Sequence, residues 1–340
     1  MYQPVFYLAD PILPGFLPER RHNCQMRILF HCPMPRDSTR GNAVSAQRIS
    51  AILGELGHSV LFSDAGSDWE FDVVIAQHAI RSRKWLKANA LGKPTVVIIS
   101  GTELLAEPDE LGESLSECTF AATTCEAIKY ALPVEVQPRT RVIRKSIVLP
   151  DCVAARKRAA PQSQVVSVVG HIRKVKRSLL AATASRILPG SSTIKIELIG
   201  DVIDDSYHKR IQIEKQTNLR FRWLGELSRI ATLQSLANSL GTVNSSIVEG
   251  GANSIGEAIL LDVPVLATRI PGNTGLLGES HCGLFEVDNH QALSDLMLRL
   301  ENESAFRDAI LKQQQPQKLL FDVELEKQGW RDLLAELPVS

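Results

Sequence analysis

The sequence predicts an α/β protein built as two doubly wound, Rossmann-like domains that face each other across a cleft. Three observations carry this expectation. Short apolar runs rich in Val and Ile alternate with amphipathic stretches, as right-handed crossovers in a parallel sheet require. The alternation stops after residue 150 and restarts near residue 164. The chain has 340 residues, 44% hydrophobic and 22% charged, enough apolar material for two cores.

Residues 1–25 contain Pro4, Pro11, Pro14 and Pro18 and place their basic residues, Arg20 and Arg21, late. A signal peptide needs the charge first and an unbroken apolar run after it, so this stretch reads as a flexible extension. Residues 26–150 form the first domain. Arg27–Cys32 is its first strand, and Ile49, Ile52, Leu53 and Leu56 mark one face of a helix that Gly57 ends. Ser59–Phe62, Asp72–Ala76 and Thr95–Ile99 read as further strands. Residues 151–163, with Pro161 and paired alanines, suit a linker.

Residues 164–322 repeat the pattern. Strands are expected at Val165–Val169, Lys195–Ile199, Leu219–Leu224, Thr242–Ser245 and Pro264–Thr268. Helices are expected at Ser178–Ile187, Ile230–Ala237, Ala252–Leu261 and Gln291–Leu300. The final segment, 323–340, carries an apparent helix with Trp330 and is expected to return toward the first domain. Ligands of such sheets bind at the strand carboxyl ends.

Charge and composition narrow the function. With 38 basic and 38 acidic residues there is no broad field for nucleic acid or an anionic membrane, so anion binding must be local. No apolar run reaches 18 residues, which argues against a membrane span. The six cysteines lack Cys-x-x-Cys or zinc spacing and read as reduced thiols of a cytoplasmic protein. There is no Asp-x-Asp triplet, and Asp204-Asp205 is the only adjacent aspartate pair, so no metal is expected. The glycine fingerprint of dehydrogenases is missing after the first strand, where Pro33-Met-Pro-Arg-Asp37 intervenes.

The most informative stretch is Glu249-Gly-Gly-Ala-Asn-Ser-Ile-Gly-Glu257, between a strand and a helix. Gly250 and Gly251 permit close backbone approach, and the helix start at Ala252 and Asn253 favours a phosphate. If the stretch were helical throughout, its two glutamates would stand about 12 Å apart along the axis. That matches the span from a hexose across a pyrophosphate to a ribose, with Glu249 on the sugar and Glu257 on the ribose. The loop Gly170-His171-Ile-Arg173-Lys-Val-Lys176 can neutralise a pyrophosphate through Arg173 and Lys176. Pro271-Gly272-Asn273-Thr-Gly-Leu-Leu277 reads as a glycine-rich backbone loop near the donor. On the first domain, Arg36, Arg40, Gly41, Asn42 (a candidate helix cap) and Arg48 form a second possible anion site. His78, Arg81, Thr102 and Glu103 lie at neighbouring strand ends. Lys176, Arg173, Glu249 and His78 are the catalytic candidates; Arg40, Gly41, Asn42, Arg48, Arg81, Thr102 and Glu103 are the acceptor candidates.

These features resemble the retaining GT-B glycosyltransferases that use nucleotide sugars. The chain is also similar to the selenosugar synthase family of selenoneine biosynthesis. The matching stretches are Gly41-Asn42 with Arg48, Leu56-Gly-His58, Gln77–Ser82, Gly101-Thr-Glu103, Gly170–Arg173 with Lys176, Arg222–Glu226, Glu249–Asn253, Ala267–Gly272, Leu320-Phe-Asp322 and Trp330–Leu334. They cover about residues 26–337. The resemblance implies transfer of a sugar from a UDP-sugar, typically UDP-N-acetylglucosamine, or UDP-glucose, to selenophosphate. Lys176 and Arg173 would take the pyrophosphate, Glu249 the sugar and Glu257 the ribose, without a metal. The chain departs from the pattern at His171, where the broader class often has Arg, and at Ala43, Ile49 and Arg177. Two other readings stand beside it: a transferase for a different small acceptor (a thiol, phosphate or polyol), and a nucleotide-sugar-binding protein without turnover.

Overall fold

Continuous apolar runs become strands buried on both faces, as parallel sheets require. The computed structural model describes residues 25–35, 38, 41–64, 70–154 and 164–338; most of the N-terminal extension, Arg36, Arg40 and linker residues 155–163 lie outside them. The first sheet contains β1 (Arg27–His31), β2 (Ser59–Phe62), β3 (Val73–Gln77), β4 (Thr95–Ile98), β5 (Phe120–Thr123) and β6 (Thr140–Val142). Its order is β2-β1-β3-β4-β5-β6, and every pairing is parallel. Val73, Val74, Ile75 and Ala76 of β3 are all fully buried.

The second sheet contains β7 (Val165–Val169), β8 (Lys195–Ile199), β9 (Phe221–Gly225), β10 (Gly241–Asn244), β11 (Val265–Thr268) and β12 (Leu284–Phe285). It is also parallel, in the order β12-β11-β10-β7-β8-β9. Strand order reverses between β7 and β10. A crevice opens outside the sheet at such a reversal, so the loops after these two strands, Gly170–Lys176 and Ser245–Ala252, flank it.

The helix Val323–Ala335 packs on the first sheet. Trp330, Leu333, Leu334 and Leu337, spaced as one helical stripe, share a core with Ile28, Phe30, Leu53 and Val73. Each such side chain contributes about 1.5–3 kcal/mol through burial. Glu326 lies on the same stripe and is also buried. Its Oε2 accepts from Ser146 N (2.7 Å) and Ser146 Oγ (2.5 Å), and from Arg48 Nη1. One buried carboxylate thus joins the last helix, the helix Gly41–Glu55 and the segment that leaves β6.

Three strands escaped the sequence reading. Phe120–Thr123 is Phe-Ala-Ala-Thr, and Thr140–Val142 and Leu284–Phe285 are very short. None carries a period by itself; pairing with a neighbour makes each a strand. Pro271–Leu277 is a correction. It was expected as a loop and forms a helix, with Pro271 in its first turn.

Candidate active site

A cavity of about 600 Å³ lies between the carboxyl ends of the two sheets. Six cations line it among the described residues (Arg48, Arg81, Lys145, Arg173, Lys176, Arg229), against four carboxylates (Glu226, Glu249, Glu257, Glu326). A chain of zero formal charge therefore concentrates positive charge here.

The two domains touch through backbone at the rear of the cavity. A Cβ on Gly101 would lie 2.2 Å from Gly250 N, and one on Gly250 would lie 2.4 Å from Ser100 O. Thr124 Oγ1 donates to Gly250 O at 2.7 Å. Gly250 is therefore required first by contact with the other domain, although it and Gly251 also line the cavity. The helix after this turn spans Asn253–Leu260, and Ala252, at its cap position, offers no side-chain hydrogen bond. Residues 249–252 are not helical, so the 12 Å helical rise expected between the glutamates does not apply. The uncapped helix start still presents amide groups toward an anion.

Glu249 is buried, and three donors converge on its Oε1: Lys176 Nζ at 2.5 Å, Ser246 Oγ at 2.6 Å and Asn244 Nδ2 at 3.3 Å. Burial alone would raise this carboxyl. The Lys176 charge and the three hydrogen bonds outweigh burial and hold it below the usual carboxylate range. Its Oε2 accepts none of these bonds. Glu257 is also buried and accepts from Arg229 Nη1 at 2.7 Å. Here burial prevails over Arg229, and the carboxyl is raised. Gly170, His171, Arg173, Lys176, Asn253 and both glutamates all line the cavity.

Several candidates have other duties. Asn273 is fully buried away from the cavity; its Nδ2 donates to Thr268 O, Thr268 Oγ1 and Asn244 Oδ1. It thus supports the Asn244 that holds Glu249. Gly272 lies against the Glu249 backbone, where a Cβ would stand 2.2 Å from Glu249 O. Both lie behind Glu249 and do not line the cavity.

His78 is buried, and its neighbours Gln77 and Arg81 line the cavity in its place. Its Nδ1 accepts from Arg81 N at 3.5 Å, which leaves Nε2–H to donate to Thr102 Oγ1 at 3.0 Å. Burial first, then the charges of Arg81 and Arg173, lower its pKa to about 4. It is a neutral cap for the helix Ala79–Asn89, held at φ 72°, an uncommon value for a residue with a side chain. Glu103 is buried behind it, with Oε1 accepting from Ser100 N at 2.9 Å and Ala79 N at 3.2 Å. It braces the strand-end turn and does not line the cavity.

Gly41, Asn42, Arg48, Arg81 and Thr102 do line it. The helix Gly41–Glu55 already includes Asn42, so Asn42 is not its cap. Arg48 lines the cavity with its Nη1 ion-paired to Glu326, so it is shared between the last helix and the cleft. Arg36 and Arg40 fall outside the described residues.

Sequence reasoning missed Arg229, Lys145 and a polar cluster. Gln77, Ser100 and Thr123 stand at the ends of adjacent strands β3, β4 and β5 and line the cavity. Gln77 Oε1, Ser100 Oγ and Thr123 Oγ1 are buried without a hydrogen-bond partner among the described residues. Buried polar atoms are seldom left so, and three together on one wall point to a ligand. Only strand pairing brings them side by side.

Residues 154–316 match the family model described as Glycosyl transferases group 1. A Xenopus tropicalis protein, glycosyltransferase 1 domain-containing protein 1, is 23% identical over 346 residues, covering 93% of this chain and 99% of that one. Among solved structures, Anabaena Alr3699/HepE in complex with UDP and glucose gives a TM-score of 0.70 at 16% identity, over 92% of this chain and 100% of that one. Sucrose-phosphate synthase from Thermosynechococcus elongatus gives 0.73 at 13% identity, with the same 92% and 100% coverage. With the paired parallel sheets and the cleft between them, these likenesses show the GT-B fold and support a glycosyltransferase.

Proposed function

We propose that the protein moves a sugar from a UDP-sugar, UDP-N-acetylglucosamine or UDP-glucose, to a small anionic acceptor, selenophosphate, and so forms a selenosugar. The bond from the sugar C1 to the diphosphate oxygen breaks as a bond from C1 to selenium forms, UDP leaves, and the phosphoryl group stays on selenium until water cleaves the P–Se bond and releases phosphate. The observation that carries the donor half is the pair of buried glutamates on one cavity wall, with Lys176 and Arg173 beside them. Glu249 is ionised and has an unused oxygen for the sugar hydroxyls. Glu257 takes the ribose hydroxyls. The uncapped start of the helix Asn253–Leu260, with Arg173 and Lys176, takes the diphosphate and stabilises the charge that grows as the bond breaks. Complexes of HepE with UDP and with UDP-glucose support this choice of donor.

Among the described residues no three His, Cys, Asp or Glu side chains group to hold a metal ion. We propose that Lys176, Arg173 and the helix start take the leaving-group charge in place of a metal.

For the acceptor, Arg81 supplies the positive charge, and Gln77, Ser100 and Thr123 supply neutral hydrogen bonds to oxygens. The same unpartnered cluster favours a second reading, a hydroxylated acceptor such as a polyol. The test is incubation with UDP-N-acetylglucosamine or UDP-glucose and selenophosphate, followed by mass spectrometry for a selenium-containing sugar. UDP release with a polyol and none with selenophosphate would select the second reading. No turnover with either, despite UDP binding, would mean a binding protein.

A further inference from the structure

Lys145 belongs to no motif. It lies just past β6, on the segment that crosses from the first domain to the second. It is half-buried and lines the cavity, and its Nζ donates to Gly251 O at 3.4 Å. Among the described residues this is its one hydrogen bond, to a neutral group. The charges that face it come from four elements: Arg48 on the helix Gly41–Glu55, Glu326 on the last helix, Glu257 on the helix Asn253–Leu260, and Glu249 at the glycine turn. Each of the three glutamates is already paired with another cation: Glu326 with Arg48, Glu249 with Lys176, Glu257 with Arg229. Lys145 is thus a half-buried ammonium in a cavity with no carboxylate of its own. Such a group is costly to bury unless an anion joins it.

Its position says which anion. Gly251 sits between Glu249 and Glu257, so the stretch of donor that passes it is the part between sugar and ribose. We propose that Lys145 binds the donor diphosphate, as a third cation that reaches it from the interdomain crossing while Lys176 and Arg173 approach from the loop after β7. The inference rests on the UDP-sugar reading of the cavity. It adds a donor-binding residue that neither second-domain loop contains, and it links donor binding to the segment that joins the domains. It also makes donor affinity depend on pH. Burial, then the Arg48 charge, push the Lys145 ammonium down to about 8, against the pull of Glu326, Glu257 and Glu249. The cation is present below that pH and is lost above it, so UDP binding weakens as pH rises through about 8.

The test is calorimetry with UDP and with uridine, which lacks the phosphates, on the full chain and on Lys145→Met and Lys145→Arg between roughly pH 7 and 9. At pH 7, Lys145→Met is expected to weaken UDP by roughly ten- to hundredfold, the worth of one charge-assisted hydrogen bond, and to leave uridine unchanged. The unsubstituted protein should lose UDP affinity across the range, and Lys145→Met should be flat. Lys145→Arg should keep both the affinity and a flat profile, because its charge does not titrate there. The proposal is overturned if Lys145→Met binds UDP with the original affinity and pH profile, or if it loses UDP and uridine equally. If the unsubstituted protein binds neither, the UDP-sugar reading itself falls, and this proposal with it.

Discussion

Replacing Lys176 with methionine removes the charge that keeps a buried carboxylate ionised. Lys176 Nζ stands 2.5 Å from Glu249 Oε1, with side-chain exposures of 21% and 9%. Breaking a fully buried pair costs about 3–5 kcal/mol. Partial exposure of Lys176, and the bonds from Ser246 and Asn244 that remain, reduce this to about 1–3 kcal/mol. At about 2–4 °C per kcal/mol for a domain of this size, the second domain should melt roughly 3–10 °C lower. The loss should depend on pH. Glu249 is held below its usual range, so its pairing stabilises the fold above the unfolded value of about 4.3 and is lost as pH falls through the folded value. In Lys176→Met burial dominates and raises the carboxyl, so the deficit is greatest near neutrality and shrinks toward pH 4. Adding Glu249→Gln should restore much of the stability and none of the turnover. In Lys176→Met itself, turnover should fall on the order of 100-fold, more than the Michaelis constant rises. Thermal unfolding across pH, with steady-state kinetics, measures all of this. An unchanged melting point at pH 7, or full activity in the double variant, would refute the coupling between these two residues.

Three further outcomes are expected. Glu257→Ala should weaken UDP by roughly 10–100-fold in calorimetry, since it removes charge-assisted bonds to the ribose; unchanged affinity in a folded variant would take Glu257 out of the site. Thr123→Val deletes a buried hydroxyl with no partner among the described residues. Stability should hold or rise, while the acceptor Michaelis constant rises about tenfold and UDP affinity stays put; a loss of UDP affinity instead would assign Thr123 to the donor. Excess chelator should leave the transfer rate unchanged, and inhibition reversed by added divalent cation would contradict a metal-free reaction.

The sequence determined the two-domain α/β plan and most of the second-domain residues that line the cavity, because both are local signals. Val- and Ile-rich runs such as Val73–Ile75 are apolar enough to be strands wherever they pair. Glu249, Gly250 and Glu257 announce a strand–turn–helix ligand site by their spacing alone. The last helix was legible through the stripe Trp330, Leu333, Leu334 and Leu337, whose apolar face must find a partner. What the tertiary structure decided is which polar groups remain available. Arg48 and Glu103 looked open to an acceptor, yet one is shared with Glu326, 278 positions away, and the other is buried against Ser100 and Ala79. Asn273 and Gly272 looked like donor contacts and instead hold the residues behind Glu249. Ser100 and Thr123 carry no motif, and they become neighbours of Gln77 only because β3, β4 and β5 pair in order. A side chain's free valence is a property of what surrounds it, and here those surroundings come from segments far apart in sequence, brought together by the pairing of strands and the meeting of two domains.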